Sequence, residues 1–161
     1  MNNDQMLKDA VKLAVKRTIV YVKANHVGEC LNGYALLTDD EMRTLGYLAS
    51  TEEFTKSQSE PNVRFEPTDW IYADGASEFD GPAKILSRGA DANPLSLHVP
   101  VSFIILVGAL RELKLEGIFD DKVFLTVIST DPNEQLEKLE VEAVRALNDE
   151  RMYSDWKASV A

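Results

Sequence analysis

The sequence predicts a single α/β domain of the α+β type, in which a small antiparallel or mixed sheet packs with several helices. Three observations lead to this prediction. The chain has 161 residues and is 45% hydrophobic, which is enough for one core and typical of one domain over 1–161. Two segments, 4–24 and 99–116, have wide apolar surfaces at helical spacing. Three short runs, 29–38, 43–49 and 123–129, have the composition of strands.

The N-terminal segment 4–24 is predicted to be an amphipathic helix. Leu7, Val11 and Ala14 follow helical spacing along its apolar side. A stripe of lysines repeats every four residues on another face: Lys8, Lys12 and Lys16. Such a stripe could touch nucleic acid, but the rest of the chain is acidic, so a solvated helix face is the favoured interpretation.

The next segment is predicted to be a hairpin. The strands 29–38 and 43–49 flank the polar turn Asp39-Asp40-Glu41, which is longer than the tight two-residue type. Ser50 or Thr51 then suits a helix start, since hydroxyls cap helices and Glu52-Glu53 favours the helix dipole. The polar run 55–64, which contains Pro61, is predicted to be a loop and is the best candidate for a mobile segment.

The middle of the chain combines aromatic residues with a long apolar helix. Residues 65–72 (FEPTDWIY) pack three aromatic residues around a short turn, and Ser77 is predicted to cap a helix ending near Gly89. The helix 99–116 is apolar on nearly every side and should run through the core, with Pro100 in its first turn.

The C-terminal third is predicted to supply the last strand and two helices. The strand 123–129 (VFLTVIS) ends at the turn Thr130-Asp131-Pro132. Apolar residues from Leu136 to Leu147 mark a helix, and 150–161 is predicted to form a short terminal helix containing Trp156.

No catalytic or cofactor motif stands out in this chain. It lacks the GxSxG elbow, the GxxxxGK[ST] phosphate loop and a GxGxxG after a strand, so we expect no cofactor and assign no catalytic residue. Cys30 is predicted to lie in a strand as a small hydrophobe rather than a reactive thiol. His26 and His98 lie at predicted element ends and are interpreted as capping or surface residues, because a zinc site needs more nitrogen or sulfur ligands.

Carboxylates are the only abundant reactive groups. Four of them crowd one twelve-residue stretch: Asp69, Asp74, Glu78 and Asp80. A second set, Asp120-Asp121 and Asp131, flanks the last strand. Either set could hold magnesium or calcium, but the spacing is not that of an EF-hand loop and a solvated acidic turn is the simpler interpretation, so no metal ligand is assigned.

The negative charge is concentrated in one part of the chain. Residues 1–28 carry five basic and two acidic side chains, 29–80 three and twelve, and 81–161 nine and thirteen, within a formal net charge of −10. An acidic surface repels phosphate backbones and attracts basic proteins. The charge distribution therefore favours a basic protein partner and argues against direct nucleic-acid binding.

The sequence also predicts a cytoplasmic location. A single cysteine fits a reducing compartment, and the charged N-terminus lacks the apolar core of a secretory signal. The strongest apolar run, Val99 to Leu110, contains Pro100 and is too short to span a bilayer.

The order of segments resembles a bacterial family, the domain of unknown function number 4303. The matching pieces are the first helix, FEPTDWIY at 65–72, LVGALRELKLEGIF at 106–119, VFLTVISTD at 123–131 and ALND at 146–149. The resemblance spans nearly the whole chain and implies a single α/β domain without assigned catalytic residues. It also implies a function, because small acidic cytosolic proteins of this kind are often toxin antidotes.

These observations lead to the hypothesis of an immunity protein, a non-enzymatic inhibitor that binds a cognate, basic toxin domain. The residues expected to contact the toxin are Asp39, Asp40, Glu41, Asp69, Trp70, Tyr72, Asp74, Glu78 and Asp80. For Trp70, core packing is favoured over an exposed contact. One alternative is an enzyme with an unrecognised carboxylate or metal site, indicated by convergence of Asp69, Asp74, Glu78 and Asp131. The other is an acidic adaptor.

Overall fold

In the computed structural model, residues 2–161 are described, and they form six α-helices and a three-stranded sheet. The elements are α1 (Asn3–Asn25), β1 (Leu31–Thr38), β2 (Leu45–Thr51), α2 (Glu52–Ser57), α3 (Asp80–Ala92), α4 (Leu95–Leu115), β3 (Phe124–Ser129), α5 (Glu134–Leu147) and α6 (Glu150–Ser159). Three short 3₁₀ turns lie between α2 and α3, at Pro61–Phe65, Pro67–Asp69 and Ala76–Phe79.

The sheet is mixed, with β1 in the middle. The strand order is β2-β1-β3, and β1 pairs antiparallel with β2 and parallel with β3, so the predicted α+β class is confirmed. Tyr34, Ala35 and Leu36 in β1 are all completely buried. A central strand that is covered on both faces needs apolar residues at consecutive positions, and this explains why β1 lacks the alternation of a half-exposed strand.

The main core lies between one face of the sheet and the helices α1, α3 and α4. Tyr34 stacks on Tyr47 with ring centroids 4.9 Å apart, and its hydroxyl shares a 2.7 Å hydrogen bond with Thr18 of α1. Because the Tyr34 ring is fully buried, the pKa of its hydroxyl is raised well above the ordinary value. This neutral pair ties α1 to the sheet without leaving a buried polar group unsatisfied.

A second core covers the opposite face of the sheet. Trp70 and Phe124 meet there edge to face, and Met152 and Tyr153 of α6 complete the cluster. The polar edge of β3 is closed by Asn148, whose side chain accepts the Leu125 N–H and donates to the Leu125 carbonyl. An amide side chain thus takes the place of a fourth strand and protects the edge from further pairing.

Two predicted strand limits need correction. β1 begins at Leu31, so Cys30 lies outside the strand and is exposed, contrary to its predicted burial. β2 runs over Leu45–Thr51 rather than 43–49, because residues 39–44 form one longer turn. The predicted helix start is confirmed, since the Thr51 side chain accepts the Phe54 N–H at the beginning of α2.

The two middle helices also differ from the prediction. Ser77 lies in a 3₁₀ turn and does not cap α3, which begins at Asp80 and continues past Gly89 to Ala92. α4 begins at Leu95, four residues earlier than predicted, so Pro100 lies in its second turn rather than its first. Five residues, Leu95 to Val99, therefore precede Pro100 within the helix, although a proline removes one helix hydrogen bond.

The segment 55–64 is not an extended loop. Its start belongs to α2, and its end lies in the Pro61–Phe65 turn. Val63 in this turn is buried, and its carbonyl accepts the Trp70 indole N–H at 2.8 Å. Residues 58–60 are a loop, as predicted, and Val63 anchors the end of the segment to the second core.

Helix α4 also passes a simple test of length and composition for a membrane-spanning helix. Long apolar core helices pass the same test, and here the side chains of Phe103, Leu106 and Leu110 lie in the main core. The helix is longer than the apolar run identified in the sequence, but its place in the fold is that of a core helix.

We expect Leu110→Ala to lower the free energy of unfolding by about 2–5 kcal/mol, because Leu110 is completely buried and its loss leaves a cavity. The matched control is Ile104→Ala on the same helix. Ile104 is 62% exposed, so the control should change stability by about 0.5 kcal/mol or less. Denaturant unfolding measures both, and equal midpoints for the two variants would contradict the placement of α4.

Candidate functional site

The acidic residues predicted to form one contact surface lie in three separate places. The turn 39–44 lies at the C-terminal end of α3, where Arg43 pairs with Asp91. Asp74, Glu78 and Asp80 lie at the other end of the same helix. A helix of 13 residues is about 20 Å long, so these two groups are well separated. Asp69 belongs to the segment that covers the second core.

Asp39 is a structural residue of the β1–β2 turn. One of its carboxylate oxygens accepts the backbone N–H groups of Arg43 at 2.7 Å and Thr44 at 2.9 Å. Burial raises the pKa of Asp39, but these hydrogen bonds outweigh burial and hold it below its usual value. The turn also keeps Met42 in the left-handed region at a φ of 56°, which a residue with a side chain rarely adopts.

Glu41 and Asp40 differ in their environment. Glu41 forms an ion pair with Arg43, which also binds Asp91 of α3. Asp40 is exposed, and within residues 2–161 no cation or hydrogen-bond donor pairs with its side chain. Of the three predicted contact residues in this turn, Asp40 is therefore the one whose carboxylate the fold leaves available.

Asp74 and Tyr72 belong to a polar cluster at the end of α1. Asp74 accepts hydrogen bonds from Asn25 at 2.9 Å and from His26 at 3.0 Å. The Tyr72 hydroxyl donates to Glu29, and its ring packs on His26 with centroids 4.1 Å apart. Burial raises the pKa of Asp74, but the bonds from Asn25 and His26 bring it below its usual value.

Glu78 and Asp80 differ from each other in their exposure and in their partners. Glu78 pairs with Arg17 of α1 at 3.1 Å and is half-buried, whereas Asp80 is exposed. The expectation that the whole Asp74, Glu78 and Asp80 group is solvent-exposed is therefore wrong. Two of its three carboxylates bind groups on α1, because α3 and the turn before it pack against that helix.

Trp70 is buried, with 3% of its surface exposed, so the favoured interpretation of this residue as a core residue is confirmed. A Cβ atom at Gly33 would come within 2.6 Å of the Trp70 ring, which shows how closely the indole approaches β1. The Trp70 ring is therefore not on the surface, although its neighbours Asp69 and Ile71 are.

Two acidic residues that sequence analysis missed, Glu60 and Glu66, lie close to Asp69. Glu60 and Glu66 join Asp69 on the surface, and we call these three residues the acidic triad. The pKa of Glu66 is raised, chiefly because its carboxyl group lies within hydrogen-bonding reach of Asp69, then by burial and by the charges of Asp69 and Glu60. Among the described residues, no lysine, arginine or histidine pairs with any of the three.

The signal for this triad is present in the sequence as a repeated pair. Glu60-Pro61 and Glu66-Pro67 each begin a 3₁₀ turn, with the proline at the first position of the turn. The two turns contact each other, and Glu66 lies close to Asp69 and Glu60. Proline favours the first position of a helical turn, so each Glu-Pro pair predicts a turn that begins next to a carboxylate.

The lysine stripe of α1 is neutralised within the chain. Lys8 and Lys12 bind Glu112 of α4 at 2.8 and 3.0 Å, and Lys16 binds Glu116 at 3.3 Å. The stripe is therefore a contact between two helices rather than the solvated face that was predicted. These pairs neutralise three of the five basic side chains in the basic segment 1–28.

The other reactive residues differ in the distances between their potential metal-ligating atoms. Across residues 2–161, the one set of potential metal ligands whose atoms lie within 4.8 Å of one another is Cys30, Glu52 and Glu53, on the surface. The four carboxylates whose convergence would indicate an enzyme, Asp69, Asp74, Glu78 and Asp131, are not such a set.

His98 lies in a different place from the one predicted. It is inside α4 and buried, and its ring bonds to the Met42 carbonyl and to Ser102. It is neither a cap nor a surface residue. His26, in contrast, is the residue that ends α1, as predicted.

Comparison with known proteins identifies a family and no individual relative. The family model described as "Domain of unknown function (DUF4303)" matches residues 7–149, which is most of the chain. No curated protein matches significantly. No solved structure matches significantly either.

We expect Asp39→Ala to lower the free energy of unfolding by about 1–3 kcal/mol, because two backbone N–H groups of the turn lose their acceptor. Asp40→Ala removes the same group from the adjacent, exposed position and should cost about 0.5 kcal/mol or less. Thermal or denaturant unfolding measures the difference. Equal stabilities would show that Asp39 does not organise the turn.

We expect Asp74→Asn to be less stable than the natural chain at neutral pH, with a difference that shrinks in acid. The pKa of Asp74 is lower in the folded chain than in the unfolded one. Its interactions therefore stabilise the fold fully above about pH 4 and are lost as the pH falls through the folded-state pKa. Unfolding measured over a pH series tests this. Asp80→Asn, at an exposed site, should track the natural chain, and a pH-independent deficit in Asp74→Asn would contradict the assignment.

Proposed function

We propose that this chain, which belongs to the DUF4303 family of domains of unknown function, is a non-enzymatic immunity protein that acts in the cytoplasm. It binds a toxin domain with a basic surface and blocks the site where the toxin binds its substrate. The proposal rests on the acidic triad, because none of its three carboxylates pairs with a basic side chain among the described residues.

Glu66 of the triad lies close to two further acidic residues. Its pKa is raised first by its hydrogen-bonding contact with Asp69, then by burial and by the charges of Asp69 and Glu60. Elsewhere the fold pairs such groups: Glu112 with Lys8, Glu78 with Arg17, Glu41 with Arg43. A lysine or arginine from a partner would relieve the repulsion in the triad, so binding a basic surface gains more there than at a paired carboxylate.

An exposed apolar side chain lies next to the triad. Ile71 is 61% exposed and follows Asp69 by two residues. Apolar centres with polar rims are typical of protein interfaces, because the centre supplies burial while the charged rim steers association. Ile71, two residues after Asp69, is the exposed apolar residue that would supply such a centre, whereas Trp70 is buried.

The net negative charge of the chain supports a partner with a basic surface. The formal net charge is −10, and the lysines of the stripe on α1 form ion pairs with Glu112 and Glu116 at the end of α4. Toxins that act on nucleic acid need basic surfaces to bind phosphate groups. An acidic protein that occupies such a surface competes with the nucleic acid directly, without needing a reactive group of its own.

The structure changes which residues belong in this proposal. Asp39, Glu41, Asp74 and Glu78 have partners within the fold, so their replacement would alter stability before it altered binding. Asp69 stays at the centre, with Glu60, Glu66 and Ile71 beside it. Asp40 and Asp80 are exposed and lie at opposite ends of α3, where only a large partner would reach them together with the triad.

The first experiment identifies the partner. The chain is co-expressed with a panel of nuclease toxin domains that have basic surfaces, and rescue of growth is scored. The partner that it rescues is then purified in a catalytically inactive form, and association and dissociation rates are measured at low and high salt.

We expect reversal of the triad, Glu60→Lys with Glu66→Lys and Asp69→Lys, to slow association about tenfold or more at low salt. The effect should shrink at high salt, where charges are screened beyond a few ångströms. Ile71→Ala should mainly speed dissociation. The matched control reverses three exposed acidic residues outside the triad, Asp4, Asp9 and Glu142, and should change association less than about threefold.

One result would contradict binding through the acidic triad. If the folded triad variant associates at the natural rate and still rescues growth, the triad is not the contact surface. Thermal melting of every variant confirms that the reversal has not unfolded the chain.

A further inference from the structure

A cavity of about 570 Å³ lies between the start of α1 and the facing sides of α3 and α4, on the opposite side of the sheet from the acidic triad. Its walls are mostly apolar and include Leu7, Ile85, Leu86, Leu97, Val101 and Ile105. A volume of this size is within the range of small-molecule sites, which are typically apolar with a few placed polar groups.

Six polar residues line this cavity: Asn3, Asp4, Arg88, Asn93, His98 and Ser102. His98 and Ser102 are the two that are more than nine-tenths buried. His98 Nε2 lies 3.0 Å from the Met42 carbonyl oxygen, and Nδ1 lies 3.2 Å from Ser102 Oγ. A carbonyl oxygen only accepts, so Nε2 carries the proton, and in the neutral imidazole Nδ1 is then an acceptor.

With His98 neutral, the hydroxyl of Ser102 donates to Nδ1 of the ring. The lone pairs of Ser102 Oγ are then left to accept a hydrogen bond from the cavity. The β1–β2 turn thereby sets the polarity of the cavity wall, because the Met42 carbonyl determines which imidazole nitrogen is protonated.

Two further residues shape the cavity. Gly89 lines it, and a Cβ atom there would come within about 3.0 Å of the His98 ring, so only glycine leaves the ring undisturbed. Arg88 lies at the rim and is exposed. In the part of the chain that the structure describes, Arg88 forms no ion pair with a carboxylate.

The arrangement suits binding rather than acyl transfer. Ser102 lies in the middle of α4, where backbone N–H groups are used by the helix. An oxyanion formed at Ser102 would need preorganised N–H donors, and the helix interior does not supply them.

We propose that this cavity is a binding site for a hydroxylated apolar carboxylate. The apolar body packs against Leu7, Leu86 and Ile105, the ligand hydroxyl donates to Ser102 Oγ, and the carboxylate pairs with Arg88 at the rim. The site is separate from the toxin-binding surface and does not depend on it.

The test uses three probes of similar shape at neutral pH, with affinity measured by calorimetry. Hydroxynaphthoate has the donor and the anion, methoxynaphthoate lacks the donor, and naphthol lacks the anion. We expect hydroxynaphthoate to bind about fivefold more tightly than methoxynaphthoate, the effect of one hydrogen bond, and about tenfold more tightly than naphthol.

Three variants locate the contacts. Ser102→Ala should remove the preference for hydroxynaphthoate over methoxynaphthoate, and Arg88→Gln should remove the preference for the anion. Val101→Trp fills the cavity from a partly exposed position and should abolish binding of all three probes. Arg111→Gln, at an exposed arginine of α4 outside the cavity, is the matched control and should bind like the natural chain.

Each result decides the proposal. Equal affinity of the natural chain for hydroxynaphthoate and methoxynaphthoate overturns it, as does a preference that survives in Ser102→Ala. Undiminished binding by Val101→Trp would show that the probes bind elsewhere and would also overturn it. Thermal melting confirms that each variant is folded, and Arg88→Gln, at an exposed site, keeps the test decisive if Ser102→Ala is unstable.

Discussion

The central strand β1 is bonded along both edges and covered on both faces, and the position of each surrounding element depends on one of those contacts. Its edges hold β2 and β3, and its two faces hold the main core and the second core. Tyr34 points to α1 and bonds to Thr18, while Gly33 leaves room for the Trp70 ring on the other side. A strand enclosed in this way tolerates little change, because any added atom meets a packed neighbour.

Both candidate sites are consequences of this enclosure. On one side, burying Trp70 against Gly33 draws the two Glu-Pro turns over the second core and leaves Glu60, Glu66 and Asp69 facing outward. On the other side, the turn that follows β1 presents the Met42 carbonyl to His98, whose other ring nitrogen lies 3.2 Å from Ser102 Oγ in the cavity wall. The sheet separates the two surfaces, so each can be altered without touching the other.

The acidic residues fall into two classes that net charge does not distinguish. Asp39 accepts backbone N–H groups, Asp74 binds the end of α1, and Glu112 holds two lysines of the first helix. These carboxylates stabilise the fold because they gain hydrogen bonds on folding. Among the described residues, the triad has no basic partner, and the charges of Asp69 and Glu60 contribute to the raised pKa of Glu66.

The sequence by itself determined the class of fold, the three strands and the helices, because apolar periodicity is a local property of the chain. It also indicated that Trp70 is a core residue. Pairing between distant segments decided the rest. The lysine stripe is neutralised by residues about a hundred positions away, and His98 binds a carbonyl in a turn that precedes it by 56 residues. Whether a charged group is satisfied depends on what the fold brings near it, and that information exists only in the tertiary structure.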